Sequence, residues 1–144
     1  MKEGAKYFFV RYFAYRNKAF NEPFDGITYS VMVAMGFATL ENFIYVFEYG
    51  IQTAVIRMFL SVPAHAVFGV IIGYYLGHQK CGTLKGAGPV GLILASVLHG
   101  LFDFFLFNDQ ITGSFLGAIA SFYLGVRFSL RAIRQHQQRS PFMG

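Results

Sequence analysis

GITYSVMVAMGFATLENFIYVFE, residues 26–48, decides the fold class. At about 1.5 Å per residue, a helix of this length crosses a ~30 Å hydrocarbon core. Its only charged side chains are Glu41 and, at the far end, Glu48. Residues 52–79, 89–107 and 114–134 are similarly apolar and long, and the first of these holds Pro63. A polar turn covers 18–25, with Pro23 and Asp25 opening the helix that follows. Residues 80–88 read as a flexible loop, 108–113 as a short polar turn and 131–144 as a basic tail.

Composition agrees. Charged residues make up 13% of the 144, about half the usual soluble share. Hydrophobic residues make up 55%, and the mean hydropathy is +0.46. A soluble domain this small has too much surface to hide so much apolar side chain. The expected fold is all-α: a polytopic membrane bundle of four full transmembrane helices plus a partial N-terminal helix, forming one domain over 1–144. Phe is abundant (18) and Trp absent, so an interfacial belt must be built from Tyr and Phe. The lone cysteine, Cys81, excludes an internal disulfide framework.

The net charge of +5 does not point to nucleic acid, because its distribution follows a topology rule. Lys2, Lys6, Arg11, Arg16 and Lys18 precede the first full span. Lys80 and Lys85 follow the second, and Arg127, Arg131, Arg134 and Arg139 close the chain. Only Arg57 lies near the opposite ends, where it reads as a snorkelling interfacial side chain. The basic sides are predicted to be cytoplasmic, the C-terminus included, in a multi-pass bacterial-type plasma-membrane protein. Residues 2–17 look helical but are too short to cross. They read as half of a membrane helix, as in a truncated chain or one whose start lies further upstream, with an interfacial amphipathic helix as the alternative.

Counting from each predicted cytoplasmic end, Glu3 lies 13 residues from Arg16, and Glu41 lies 16 from Asp25. His65 lies 14 from Gln79, and His99 lies 13 from Gly86. The corresponding depths are roughly 20–24 Å. Ionisable groups are costly in lipid, so four at one depth suggest a reaction centre or a transport path. Each also has a plainer reading. Glu41 with Asn42 could anchor helices, His65 could donate between helices, His99 with Asp103 at i+4 could be a structural pair, and Glu3 with Lys6 at i+3 a solvated one. None of these readings predicts a common depth. His65, Gly69, Gly73 and Gly77 share a helix face suited to close packing. Pro63 removes a backbone hydrogen bond beside His65 and should kink its helix. Gly117, Ser121 and Gly125 form a second stripe, read as packing.

A carboxylate and two imidazoles can hydrolyse an amide, with the acid as general base on water aided by one histidine, His65, and the second, His99, stabilising the oxyanion. Such a mechanism needs no cofactor. The same donors, His65, His99 and Glu3 or Glu41, could instead hold Zn²⁺, although HExxH is absent. A proton or cation pathway through the same groups is a third option.

The segments GFATLENFIYV (36–46), RMFLSVPAHAVFG (57–69) and HGLFD (99–103), together with DGITYS (25–30), resemble the PrsW family of membrane-embedded proteases. The likeness runs from residue 3 to about 107 in helix order and spacing. It implies a polytopic helical endopeptidase acting on a membrane-anchored protein of the anti-sigma-factor class, by a mechanism labelled metallo in some schemes and glutamic in others. It implies catalytic roles for Glu3, Glu41, His65, His99 and Asp103, with Asn42, Lys6 and Pro63 in support. His99 and Asp103 match the pair proposed to hold the oxyanion. An ionised Asp103 cannot donate a hydrogen bond, so it would have to be protonated or serve to orient His99. One departure stands out: the family reads E-E-x-x-K where this chain reads KEGAK (2–6), with Lys2 in place of the first Glu. Two rival expectations follow, a catalytically inactive PrsW-like membrane binding module and a proton or cation pathway protein. No span pairs with another as an inverted repeat, which weighs against the pathway.

Overall fold

A computed structural model of the chain describes residues 2–107 and 113–138. Helix α1 (Lys2–Phe9) passes into a π-helical turn at Val10–Ala14. Four long helices follow: α2 (Pro23–Tyr49), α3 (Ile51–Lys80), α4 (Gly88–Phe107) and α5 (Ser114–Gln138). All four are long and apolar enough to cross a membrane, and no strand occurs among the described residues. The expected bundle of four full spans plus a partial helix is therefore what the chain forms. Residues 131–138 of the predicted tail continue α5, because their apolar positions Ala132 and Ile133 still pack on the bundle. The predicted turn at 108–112 and the tail from 139 lie outside the described residues.

Local chemistry accounts for the helix ends. Pro23 occupies the first turn of α2, and Asp25 Oδ2 accepts from the amides of Asn21 (2.9 Å) and Glu22 (3.0 Å). A single residue, Gly50, joins α2 to α3 at a φ of 82°, a conformation that favours glycine. Lys80 at the end of α3 donates to the carbonyls of Tyr15 and Asn17, tying off the π-helical segment. Helix α3 continues through Pro63 without interruption.

Helix α3 is central: half of its most apolar stretch is buried, against 17–28% in the other three. Its Ala64, Phe68, Ile71, Ile72 and Leu76 build a core with Val10, Ala95, Phe102 and Ala118. The outward side chains are apolar as well, with Phe47 75%, Phe59 74% and Leu116 69% exposed. That inverts the pattern of a soluble bundle and suits lipid as solvent. The glycine stripe does what its spacing implies. A Cβ on Gly73 would lie 2.6 Å from Ile27 Cα, one on Gly69 2.9 Å from Ala34 Cβ, and one on Gly77 would strike the Pro23 carbonyl. Backbone-to-backbone approach of α2 and α3 therefore requires these glycines. Gly117 and Gly125 pack on Phe105 and Val67, so the second stripe is packing, as read.

Gly73→Ala should lower the thermal midpoint of the detergent-solubilised protein, by about 1–3 kcal/mol in stability. Gly36→Ala is the control: its Cβ meets nothing within 4 Å, so its midpoint should hold or rise.

Candidate active site

The hairpin of α2 and α3 positions Glu41 and His65, α4 supplies His99 and Asp103, and α1 closes the set with Glu3 and Lys6. Glu3 and Lys6 are one turn apart on the face of α1 that enters the bundle, and both are buried. The N-terminal segment thus packs its charged face, Glu3 and Lys6, into the bundle.

Glu3 Oε1 accepts from Lys6 Nζ at 2.5 Å and lies 2.7 Å from His99 Nδ1. Lys6 Nζ also reaches His65 Nδ1 at 2.8 Å. His65 Nε2 lies 3.0 Å from Glu41 Oε2, with its N–H off the line of a good hydrogen bond. The two imidazoles meet edge to face with centroids 5.2 Å apart, and Phe68 stacks on His99 at 4.7 Å. His99 Nε2 is 3.4 Å from Asp103 Oδ2. The five acid–base residues expected from sequence therefore form one connected group.

Two consequences follow from donor and acceptor logic. An ammonium has no lone pair, so His65 Nδ1 must accept from Lys6, which places the ring proton on Nε2 facing Glu41. His99 donates from Nδ1 to Glu3, leaving Nε2 toward Asp103 and the cleft. A hydrogen bond between His99 Nε2 and Asp103 Oδ2 requires a proton on one of the two, so both roles expected of Asp103, protonated donor or orienting acceptor, stay open.

Glu41 is crowded by cations. Lys2 Nζ pairs with its Oε1, while Arg57 Nη2 donates to its Oε2 at 3.0 Å and to Ser61 Oγ at 3.3 Å. The Arg57 guanidinium also lies 3.6 Å above the Tyr45 ring, and its side chain is 12% exposed. The snorkelling expectation for Arg57 is therefore corrected: an unpaired charge this deep is costly, and Glu41 offers a partner. Its signal was in the sequence, since Glu41 and Arg57 stand nine and seven residues either side of Gly50. Asn42 stays outside the network, its Oδ1 buried without a hydrogen-bond partner, and Pro63 carries no polar side-chain group that could join it.

By contrast, Glu3 Oε2 is buried and has no hydrogen-bond partner. The residue Glu3 lines a cleft of about 280 Å³ together with Lys2, Ser96, His99, Gly100 and Asp103. A polar molecule in this cleft meets a carboxylate and an imidazole together. Among the described residues, no three His, Cys, Asp or Glu side chains are grouped to hold an ion. Lys6 Nζ already stands between Glu3 and His65, so the donors aim at an ammonium and do not fit a resident divalent cation.

Residues 1–130 match the family described as PrsW family intramembrane metalloprotease. The chain is 40% identical over 119 residues to Protease PrsW of Geobacillus kaustophilus, an alignment covering 81% of this chain and 53% of that protein. Identity is 41% over 113 residues to Protease PrsW of Shouchella clausii, covering 74% and 50%. It is 38% over 109 residues to Protease PrsW of Bacillus subtilis, again covering 74% and 50%. The chain thus spans about half the length of the curated relatives it matches. No solved structure matches it.

Lys6→Met strands Glu3 as a buried carboxylate and should cost about 3–5 kcal/mol of stability in detergent. Glu3→Gln/Lys6→Met should recover part of that loss in a double-mutant cycle, because the charges leave together. Additive losses in the cycle would show that the pair is not coupled.

Proposed function

The chain belongs to the PrsW family, and from that premise we propose that it carries the hydrolytic centre of a membrane-embedded endopeptidase whose general base is Glu3. One observation carries the choice of base. Glu3 has a buried, unpartnered oxygen and lines a cleft with His99, while Glu41 is held by Lys2, Arg57 and His65. Water held by Glu3 Oε2 attacks the scissile carbonyl carbon, and its proton passes to that carboxylate. His99, stacked on Phe68, donates to the oxygen that gains charge from a second ring proton on Nε2, while Nδ1 donates to Glu3. Protonated Glu3 then returns the proton to the leaving amide nitrogen as the C–N bond breaks, giving an amine and a carboxylic acid, which ionises on release.

His65 acts through Lys6 rather than on water: it fixes the ammonium that orients Glu3, and it ties that group to Glu41. The mechanism is glutamic and needs no metal, consistent with the donor set. The substrate is a membrane-anchored protein, of the anti-sigma-factor type that the resemblance implies. The membrane is of bacterial plasma type, with the basic ends of α3 and α5 in the cytoplasm.

A second reading, a non-catalytic binding module, is favoured by one side chain. Lys2 stands where the family motif carries Glu, and its ammonium sits on Glu41 beside the cleft. An inert wild-type protein that gains cleavage on Lys2→Glu would establish it.

The enzyme reading is tested in proteoliposomes holding the full-length protein and a membrane-anchored reporter. Glu3→Gln should slow cleavage by about 10²–10⁴-fold in the fraction that stays folded, with a lower melting point because Lys6 loses its carboxylate. Unaltered cleavage would overturn the choice of base, and a chelator-induced loss reversed by Zn²⁺ would overturn the metal-free mechanism.

Topology has its own test, because the single thiol, Cys81, is exposed at the basic end. A membrane-impermeant maleimide should leave it unlabelled in intact cells and label it after permeabilisation. Glu48→Cys in a Cys81→Ser background should label from outside.

A further inference from the structure

Two guanidinium groups at the basic end of the bundle have no carboxylate partner among the described residues. Arg11 Cζ lies 4.0 Å from the Tyr15 ring centre, and Arg16 Cζ lies 5.7 Å from that of Tyr12. Both side chains are exposed, and both line one cleft of about 440 Å³ with Tyr7, Phe8 and Tyr12. This cleft shares no residue with the one beside Glu3.

The backbone explains how the arginines come together. In an α-helix, residues five apart point about 140° away from each other. Here the helix widens at Val10–Ala14, and the Tyr15 amide donates to the Val10 carbonyl at 2.8 Å, an i to i+5 bond. A π turn brings residues five apart toward one side, and such turns are often retained at functional positions. Arg11 and Arg16, and likewise Tyr7 and Tyr12, are five apart. The turn is secured from behind by the buried Val10 and by Lys80 on the Tyr15 carbonyl.

The surroundings identify the ligand class. Phe8, Phe9, Tyr12 and Phe13 are 58%, 45%, 53% and 62% exposed, forming an aromatic strip on the same short segment. Aromatic rings grading into arginines mark the level where acyl chains give way to headgroups. Two planar guanidiniums lining one cleft suit the oxygens of a phosphate. We propose that this cleft is a binding site for the headgroup of an anionic phospholipid, with the lipid's acyl chains lying along the aromatic strip. The site is independent of the protease reading.

The test is native mass spectrometry of the full chain, released from micelles holding phosphatidylglycerol and phosphatidylcholine of matched acyl chains. The wild type should retain phosphatidylglycerol with about tenfold preference. Arg11→Gln/Arg16→Gln should bring that preference close to parity, while Arg131→Gln/Arg134→Gln, on α5 at the same end, should leave it intact. Arg11→Lys/Arg16→Lys keeps the charge but loses the planar fork, and should give an intermediate preference with an unchanged melt. Glycerol phosphate should not compete. No preference in the wild type, full preference in the Gln pair, or competition by glycerol phosphate would each overturn the proposal. So would a dimer that dissociates in the Gln pair without any lipid preference, since a second copy would then cover the strip.

Discussion

A buried ammonium governs this molecule. Lys6 is 1% exposed, and it bonds Glu3 and His65 at once. In a low-dielectric interior a lone charge of either sign would be expelled or neutralised, so the group exists only as a balanced set. Lys2, Lys6 and Arg57 offset Glu3, Glu41 and Asp103, and the two imidazoles link the halves. This balance gives each side chain a fixed partner and leaves one buried carboxylate oxygen of Glu3 without a hydrogen bond. Chemistry at that oxygen is a product of the same constraint that lets the charges stay in the membrane.

The balance in turn depends on close backbone approach. Glu41 and His65 can meet only because α2 and α3 lie almost in contact, with Gly26 against Gly73 and Pro23 against Gly77. Larger side chains at those positions would lift α2 away and separate the acid from the imidazole. Packing at the basic end and chemistry near the other are thus connected through one rigid hairpin. Helix α4 then needs only to lie against α3, where Phe68 stacks on His99 and fixes the plane of the ring.

Much of this was legible in the sequence, for physical reasons. Apolar length reveals spans because the bilayer has a fixed thickness, and residue counting gives depth because helices rise uniformly. Glu3, Glu41, His65 and His99 were found that way, and Asp103 through its i+4 spacing from His99 and the family resemblance. Orientation around a helix was harder to read. Lys6 at i+3 from Glu3 fits a solvated pair and a buried one equally well, and only the packing of α1 decides. Arg57 looked interfacial because a sequence does not show which charges fold back onto a neighbouring helix. The π turn left no pattern to detect, since it depends on one widened hydrogen bond. The single Gly50 junction could have exposed the Glu41–Arg57 pair by counting outward from it.

That junction leaves the hairpin no slack. One added residue between Glu41 and Gly50 would swing the carboxylate by about 100° around its helix and shift it by about 1.5 Å along the axis. A neighbouring loop could not absorb the change, because there is none. Along this stretch the length of the chain is itself a functional property, and natural variation should replace residues freely here while almost never inserting or deleting them.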